Sequence, residues 1–308
     1  MRKYLKDHGL EDIGIRTKKF KSCIVKELVQ NYSFLEDEAV QAAESAIKVS
    51  EVASIKEGKK DVVEFFSEQE IMEFAKVIAN NKDDVISKSP SKEVKSLLIN
   101  AVRNNPSTDI ILFGRMFAND PSLDYDAACQ VAHAISVNEA RMEYDYFTAV
   151  DDVPDETNSG SAFLDTKQFT DPIFYRYANV NLSESSELIR FDKSNAAKAA
   201  RDFVEAFILS MPTGSINGYA NSTLPDYIMI TLREDMPVSF APAFINAVSG
   251  NDFESAAEDK LVLYADKIAK NYGVPAIILT LKDAPFNEIL SSVYEEILRR
   301  LQHGDTAS

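Results

Sequence analysis

The sequence is poor in the residues that build disulfide frameworks and metal sites. It contains no tryptophan, three histidines and two cysteines, Cys23 and Cys129. Two cysteines are too few for a disulfide framework or a structural zinc site. No apolar run approaches the roughly 20 residues that a membrane-spanning helix needs, and the first residues lack the apolar segment of a secretory signal. These absences predict a cytoplasmic protein that makes no membrane contact.

Motifs of common enzyme classes are also absent. There is no phosphate-binding P-loop, no G-x-G-x-x-G after a predicted strand and no G-x-S-x-G nucleophile elbow. His8, His133 and His303 are too scattered in the sequence to indicate a shared site. Cys129 and His133 are four residues apart on a predicted helix, but two ligands alone make a poor metal site. We therefore predict no catalytic residue, no metal and no cofactor.

Charge is distributed unevenly along the chain. The net charge of −16 argues against a nucleic-acid partner when the chain is taken as a whole. Residues 1–26, however, carry eight basic and three acidic side chains, a net of +5. A basic end on an acidic body fits either an anionic ligand bound at one place or an ordinary solvated helix face. The eight basic residues are Arg2, Lys3, Lys6, Arg16, Lys18, Lys19, Lys21 and Lys26.

Helical and strand patterns follow one another irregularly. Residues 18–104 show helical periodicity, as in "EQEIMEFAKVIANN" and in "SPSKEVKSLLINAVRNNP", where Pro90 is expected in the first turn. "DIILFGRMF" predicts a strand, and "DYDAACQVAHAISV" predicts a helix. Later segments predict strands at "DYIMITL" and "AIILTL" and helices near 240–249, 255–272 and 286–302. This order predicts an α+β protein with an antiparallel sheet.

A β-hairpin with an acidic loop is predicted in the middle of the chain. The strand "YDYFTAV" is followed by "DDVPDETNSGS" and by a second strand, "AFLDTKQF". Carboxylates in the loop could bind Mg²⁺ or Ca²⁺, but their spacing matches no EF-hand, and aspartate is common in turns because it hydrogen-bonds its own backbone. The loop is therefore interpreted as a turn, with a metal site as the alternative. The carboxylates are Asp151, Asp152, Asp155 and Glu156.

Two later segments fit contacts with nucleic acid. In "FYRYANVNL", alternation places tyrosines and asparagines on one side and apolar residues, among them Phe174, on the other. Such an aromatic and amide face is typical of proteins that stack single-stranded RNA bases, and equally of an ordinary exposed sheet face. The loop "MPTGSINGYAN" could offer backbone N–H groups to phosphates, or it could be a plain connection.

Several of these segments together resemble one known family. "GRMFANDPSLDYDAACQVAHAIS", "DYFTAVDD" and "FLDTKQFTDPIFYRYANVNL" resemble the CasC family, the guide-RNA-binding backbone subunit of type I-E CRISPR Cascade. The similarity is dense over residues 109–182 and continues through "PTGSINGYAN", "MPVSFAPAFINAV" and "DKIAKNYG". Many motifs in one order make this resemblance far more specific than any single motif.

The resemblance implies a fold and a division of the chain. The fold would be a modified RRM (ferredoxin-like) palm with an antiparallel sheet, a helical fingers insertion and a protruding β-hairpin thumb. Residues 1–17 would form the basic N-terminal helix of the palm, and residues 18–105 the fingers. Residues 106–308 would form the rest of the palm, with the thumb at about 140–172.

The resemblance also implies a function in antiviral defence. Such a subunit binds the crRNA guide without catalysis, stacks with copies of itself in a helical filament, and displays the guide for pairing with the target DNA strand. It does so in a ribonucleoprotein with other Cascade subunits. Two other functions remain open from the residues themselves: a metal-dependent RNA nuclease that uses the acidic hairpin loop, and a protein-only scaffold.

The family's RNA-contacting positions can be transferred to this sequence motif by motif. Arg2 and Lys3 would end a basic segment, and Met116 in "GRMF" would contact the guide from the palm. The loop positions, Ser215 and Asn217, match a guide-contacting segment that here carries no lysine or arginine. The thumb positions are Phe147, Thr148, Val150 and Leu164.

The sequence departs from the family pattern at its beginning. Family members start with a palm strand and a basic segment, whereas this sequence enters the pattern at the helix that follows them. A missing central strand would expose the backbone groups of its neighbours. We therefore expect the chain as given to fold poorly or to bind RNA weakly.

Overall fold

The computed structural model shows a mixture of helices and short antiparallel strand pairs, as expected for an α+β protein. It describes residues 1–8, 12–53, 63–117, 120–149, 163–183, 188, 192–250 and 252–303. Within these ranges, no helix is both long and apolar enough to cross a membrane. In chain order the elements are α1 (Arg2–Asp7), β1 (Ile15–Thr17), α2 (Phe20–Tyr32), α3 (Glu36–Ser50), β2 (Glu64–Phe66), α4 (Glu68–Asn80), α5 (Lys82–Ile86), α6 (Lys92–Arg103), α7 (Thr108–Phe113), β3 (Cys129–Val131), β4 (Ile135–Ser136), β5 (Glu143–Ala149), β6 (Phe163–Phe169), β7 (Phe174–Tyr175), β8 (Ala178–Val180), α8 (Lys193–Leu209), α9 (Ile216–Tyr219), β9 (Met229–Leu232), α10 (Phe253–Tyr272), β10 (Ile277–Thr280) and α11 (Phe286–His303).

The chain divides into two compact units, each built from segments that are distant in sequence. The strand pairs are β1–β2, β3–β8, β4–β7, β5–β6 and β9–β10. The predicted division at residues 17 and 105 stays a prediction. Unit 1 comprises Met1–Gln130, Val180–Leu224 and Ala284–Ser308, and unit 2 comprises Val131–Asn179 and Pro225–Asp283.

Helices with one apolar face form the core of unit 1. In α2, Phe20, Ile24 and Leu28 recur every four residues and are completely or almost completely buried. The Phe20 ring stacks on Phe66 with 3.9 Å between ring centroids and meets the edge of Phe74 at 5.4 Å. These contacts join α2, β2 and α4, so the helical periodicity read from residues 18–104 reports a real core.

Side-chain caps set the first residues of several helices. The Glu70 N–H donates to Ser67 Oγ (2.8 Å) and the Ser67 N–H donates to Glu70 Oε2 (2.7 Å), which is a complete capping box for α4. Ser91 caps α6, so Pro90 lies before this helix and its predicted place in the first turn is wrong. In α8 the cap is Asp192, whose carboxylate accepts from the Ser194 N–H at 3.0 Å.

Two predicted elements between residues 108 and 136 have the wrong type. "DIILF" forms helix α7, whose first N–H, that of Thr108, donates to Asp12 Oδ2 at 2.8 Å. "DYDAACQVAHAISV" contains strands β3 and β4 instead of a helix. The Ala128 N–H donates to the Ile111 carbonyl at 2.9 Å, and the Asn181 N–H donates to the Ala128 carbonyl at 2.7 Å. Short apolar runs suit either element, and here partners from distant segments decide between them.

A buried carboxylate fastens the N-terminal segment of unit 1. Asp109 accepts from the Gly14 N–H (2.8 Å), from Ser107 Oγ–H (2.6 Å) and from Arg2 Nε–H (2.7 Å). Arg2 also donates to the Gly14 carbonyl. These three donors hydrogen-bond both oxygens of the Asp109 carboxylate, which offsets the free-energy cost of burying its charge.

We expect Gly14→Ala to lower the free energy of unfolding by about 1–3 kcal/mol, the usual cost of overpacking. An added Cβ at Gly14 would lie 2.6 Å from a Phe65 ring carbon and 2.8 Å from both the Phe66 carbonyl oxygen and Ser107 Oγ. Urea denaturation measures the change. Gly214→Ala is the matched control, because its Cβ would meet nothing within 4 Å; equal losses for the two variants would contradict this account.

Unit 2 has a smaller core, formed by Val137, Phe244, Val248 and Ala257. The Tyr175 ring packs on Phe244 with 5.5 Å between centroids, and its hydroxyl oxygen accepts from the Phe240 N–H at 3.0 Å. Burial raises the pKa of Tyr175. Phe174 is 55% exposed. The continuous strand predicted for "FYRYANVNL" is therefore wrong: β7 and β8 are separate, and at β7 the tyrosine faces the core while the phenylalanine faces outward.

The helix predicted near residues 240–249 is also wrong. Only a short 3₁₀ turn, Ala241–Phe244, forms in this region. By contrast, the predicted helices at 255–272 and 286–302 correspond to α10 and α11, and the predicted strands "DYIMITL" and "AIILTL" correspond to β9 and β10.

Candidate nucleic-acid interface

Unit 2 contains an exposed hairpin formed by β5 and β6, which carries several large apolar side chains. The strands pair antiparallel from Glu143 opposite Phe169 to Ala149 opposite Phe163. All residues of β5, and all of β6 except the half-buried Phe169, are exposed. Residues 150–162 lie outside the described residues, and with them lie the predicted site residue Val150 and the four loop carboxylates.

The hairpin register places aromatic residues on both faces. Side chains alternate along a strand, and directly opposed residues share a face. One face, called the Phe face, carries Phe147 and Phe163, whose ring centroids are 5.9 Å apart. The other, called the Tyr face, carries Tyr144, Tyr146, Thr148 and Leu164, with Thr148 directly opposite Leu164.

This register separates the predicted thumb residues. Phe147, 40% exposed, lies on the Phe face, whereas Thr148 and Leu164, the latter 65% exposed, lie on the Tyr face. The site prediction missed Phe163 and Tyr146, the latter 71% exposed. Alternation within "YDYF" indicates that Tyr146 is exposed. Placing Phe163 on the same face as Phe147 requires the strand register, in which Phe163 lies opposite Ala149, and the loop length alone does not set that register.

The chemistry of the hairpin suits contact with bases better than contact with phosphates. An isolated two-stranded hairpin is at best marginally stable in water, and exposed apolar patches mark interaction sites. Its two strands carry three acidic side chains, Glu143, Asp145 and Asp165, and one basic side chain, Lys167, all on the Phe face. Aromatic rings stack on any base, so the exposed rings of this hairpin are chemically suited to base stacking.

In unit 1, Met116 lies in a segment that follows α7 and is hydrogen-bonded to Tyr125 through the neighbouring Arg115. Gly114 has φ +76°, and a Cβ there would lie 3.0 Å from the Tyr125 carbonyl oxygen. Arg115 pairs with Tyr125 through backbone hydrogen bonds of 3.0 and 2.8 Å. The Met116 side chain is 85% exposed, whereas the next side chain, Phe117, is buried. Met116 is thus an exposed thioether next to a hydrogen-bonded backbone pair.

A buried ion pair supports this segment. Arg115 Nη1 donates to both carboxylate oxygens of Glu70, at 2.7 and 2.8 Å, and to the Phe65 carbonyl at 3.2 Å. Burial raises the pKa of Glu70 to about 7, although the Arg115 charge and the Ser67 N–H act in the opposite direction. The pair therefore links α4 to the segment that presents Met116.

The two predicted N-terminal site residues have different surroundings. The Arg2 guanidinium bonds the buried Asp109 and lies 4.9 Å from the centroid of the Phe65 ring. Lys3 is exposed. Arg2 therefore has a structural task within unit 1, and RNA binding by Arg2 and Lys3 stays a prediction.

The loop positions lie on a short helix with unusual flanks. Ser215 and Asn217 are exposed at α9, and both Ser215 (φ 56°) and Ala220 (φ 49°) adopt the left-handed conformation. Such backbone is unfavourable for residues with a Cβ. Both side chains are available to a ligand, and their role in RNA binding stays a prediction.

The structure distributes the predicted site residues over both units. Unit 1 contains Arg2, Lys3, Met116, Ser215 and Asn217, and the hairpin of unit 2 contains the described thumb positions. The helix predicted to align Cys129 with His133 is wrong, because Cys129 is in β3, where burial raises its thiol pKa to about 11. Within the described part of the chain, no three His, Cys, Asp or Glu side chains are grouped so as to hold a metal ion.

Comparison with known proteins adds independent findings. The chain matches the family model described as CT1975-like protein over residues 1–298. It is similar to a chain of a "CRISPR RNA-guided surveillance complex, pre-nicking", with a TM-score of 0.65 and 32% identity, covering 87% of this chain and 76% of that one. It is also similar to a chain of a "CRISPR RNA-guided surveillance complex", with a TM-score of 0.50 and 34% identity, covering 70% of this chain and 73% of that one. No curated protein matches the chain.

Proposed function

This chain belongs to the CT1975-like protein family, and we propose on that basis that it is a guide-RNA-binding subunit of a CRISPR RNA-guided surveillance complex. The two solved chains that resemble it come from complexes of that description. The observation that carries the proposal is the exposed β5–β6 hairpin with aromatic residues on both faces. Exposing aromatic rings to water costs free energy. A single-stranded nucleic acid offers unstacked bases on which such rings can stack.

In this function the hairpin would act as a wedge. Unstacking a base step costs a few kcal/mol, and each base–aromatic stack returns about 1–3 kcal/mol. Phe147 and Phe163 would meet one side of the opened guide, while Tyr146 and Leu164 would meet the other. Insertion and phosphate binding would then be separate tasks carried out by separate elements.

The motifs quoted from the sequence support a more specific version of the proposal. We assign the chain to the CasC type of backbone subunit in type I-E Cascade, with an RRM-like palm, helical fingers and the hairpin as thumb. Copies would stack along the guide as a filament with other Cascade subunits and display the guide to the target DNA strand. The cytoplasm, where guide and invading DNA meet, would be its compartment.

The proposed role is not catalytic. The hairpin residues that carry it are aromatic and aliphatic, and side chains of this kind bind bases without activating a nucleophile. The sequence pattern of the loop carboxylates is typical of turn residues. Guide RNA would accordingly be retained intact.

Co-purification with RNA tests this function. We expect the full chain, expressed with a CRISPR array and the other subunits, to carry RNA of uniform length that is protected from added nuclease and stays intact in Mg²⁺. Assembly that survives RNase treatment, in protein purified without nucleic acid, would identify a scaffold instead. Cleavage of bound RNA in Mg²⁺ that is lost in Asp151→Ala would identify a nuclease.

A further inference from the structure

We propose that the outward side of a two-stranded ribbon in unit 2 is a second contact for single-stranded guide RNA, where the Phe174 ring stacks on a base and the Arg176 guanidinium binds a phosphate. The inference rests on the proposed function for the class of partner. It concerns residues outside the hairpin, and neither residue was among the predicted site residues. We call this surface the ribbon face.

The pairing of β4 with β7 directs Phe174 away from the core of unit 2. Ile135 lies opposite Tyr175, and Ser136 lies opposite Phe174. The Tyr175 ring packs on Phe244, with 5.5 Å between centroids, so this side of the pair faces the core. The Phe174 side chain is on the other side and is 55% exposed. Its cross-strand neighbour is a small serine, which leaves the ring open to a flat partner.

A β-bulge follows this pair on the β4 side of the ribbon. The Ala132 N–H donates to the Tyr177 carbonyl at 3.0 Å. Between this bond and the β4–β7 pair, the two residues His133 and Ala134 oppose the single residue Arg176, which is the arrangement of a bulge. Bulges are frequent beside functional sites, where they change the direction of side chains. This bulge lies directly across from the arginine of the ribbon face.

Alternation along the partner strand places Arg176 on the same side as Phe174. Residues two apart on a strand share a face and are about 7 Å apart. The tyrosines on either side of the arginine share the opposite face: burial, and to a smaller extent the nearby Tyr177, raises the pKa of Tyr175. The ring and the guanidinium are therefore neighbours on one side of the ribbon.

The surroundings of Arg176 favour an anionic ligand. The side chain is half-buried, and burial lowers the pKa of its guanidinium. A charge that is partly removed from water interacts more strongly with an anion than a fully hydrated charge does. The guanidinium also presents its N–H donors in one plane, a geometry that matches phosphate oxygens.

The shape of the ribbon face favours a single strand of RNA over a protein. A stable protein interface covers about 800 Å² on each partner, whereas this ribbon is only two strands wide. Its side chains next to Phe174 and Arg176 include the small residues Ser136 and Ala178. A base can lie on the ring between such small neighbours. Proteins that bind single strands combine an aromatic ring for the base with a cation for the backbone.

Two single variants of the full chain test the two roles separately. Phe174→Leu should lower the affinity for labelled single-stranded RNA by at least about fivefold and leave the slope of log K against log salt unchanged, because it removes a base stack and no charge. Arg176→Gln should decrease the slope by about 0.7, the value for one phosphate contact on a single strand. Fluorescence anisotropy between about 50 and 200 mM salt measures both quantities.

Conservative variants distinguish RNA contact from a structural role. Phe174→Tyr retains an aromatic ring and should bind RNA within about twofold of the unaltered chain, and Arg176→Lys retains the charge and should keep the slope. Urea denaturation checks that each variant is folded. The matched control is Phe253→Leu with Lys270→Gln, which changes an exposed phenylalanine and an exposed cation of α10 and should alter neither affinity nor slope.

Three results would overturn the proposal. The first is affinity and slope equal to those of the control in both Phe174→Leu and Arg176→Gln. The second is an equal loss of affinity in Phe174→Leu and Phe174→Tyr, which would show that the ring is not needed. The third is weaker assembly with other copies or subunits at unchanged RNA affinity, which would assign the ribbon face to a protein contact.

The hairpin variant separates this proposal from the function on which it rests. Normal RNA binding by Phe147→Thr with Phe163→Thr, together with the expected losses in the ribbon variants, would refute the wedge and leave the ribbon face standing. The converse result would refute the ribbon face and leave the proposed function standing. If the unaltered chain binds no RNA, either alone or with the other subunits, both proposals fall.

Discussion

Replacing Phe147 and Phe163 together by threonine is expected to weaken binding of single-stranded RNA by at least about thirtyfold. The two rings, 5.9 Å apart on one exposed face of the hairpin, would each stack on a base. A stack contributes about 1–3 kcal/mol, so losing two costs at least about 2 kcal/mol. Threonine favours strands, and the hairpin backbone should therefore be retained. Fluorescence anisotropy with labelled RNA measures the loss.

A control on the same face makes this result specific. Glu143→Thr with Lys167→Thr replaces two exposed residues of β5 and β6 and leaves the net charge unchanged. We expect this variant to bind RNA within about twofold of the unaltered chain, since rim charges contribute little. Comparison with Thr148→Ala plus Leu164→Ala reports whether the Tyr face contributes as well. Equal affinity for the Phe-face variant and the control would remove the hairpin from the RNA site.

The second large effect concerns stability: Glu70→Ala is expected to lower the free energy of unfolding by about 3–5 kcal/mol, because it breaks a buried ion pair. The Arg115 side chain is 2% exposed and its Nη1 donates to both Glu70 oxygens. Without the carboxylate, the buried guanidinium retains two backbone carbonyls and the rings of Phe117 and Tyr125, none of which carries a compensating negative charge. The same substitution also removes the acceptor of the Ser67 N–H at the start of α4. Urea denaturation monitored by circular dichroism measures the change.

A neighbouring residue provides the matched control. Glu73 is on the same helix and pairs with Lys76 at 3.1 Å at the surface. Its replacement by alanine should change the free energy of unfolding by less than about 1 kcal/mol, because exposed pairs contribute little. A loss for Glu70→Ala as small as for Glu73→Ala would show that the buried pair is not needed to hold α4 against the Met116 segment.

The long periodic segments were predictable from the sequence, and the short apolar ones were not. The spacing of Ile71, Phe74 and Ile78 in "EQEIMEFAKVIANN" predicts a helix correctly, because a repeat of about 3.6 residues places all three on the buried face of α4. The run "DIILF" has no such length, and α7 forms because Asp12 bonds its first N–H and Gly114 can take φ +76° at its end. Asp12 is 96 positions away from Thr108 in the sequence, and the φ angle of Gly114 depends on how the backbone is packed. The apolar pattern of the run therefore does not predict the helix.

The candidate site shows the same limit. The sequence indicates the exposed aromatic residues around Phe147, but the pairing of β5 with β6 assigns Phe147 to one face and Leu164 to the other. The basic residues are equally visible in the sequence. Only burial distinguishes Arg2, which bonds Asp109 across 107 positions, from Arg16, which stays at the surface.

By itself, the sequence determined the α+β class, the long helices, the hairpin strands and a family resemblance that the comparisons support at the level of CRISPR surveillance complexes. These features depend on local periodicity and on the order of motifs. The tertiary structure alone decided the type of the short elements, the two faces of the hairpin and the cations that remain exposed. The physical reason is that each of these depends on which distant group satisfies a hydrogen bond or a buried charge, and that choice is made only when the chain is packed.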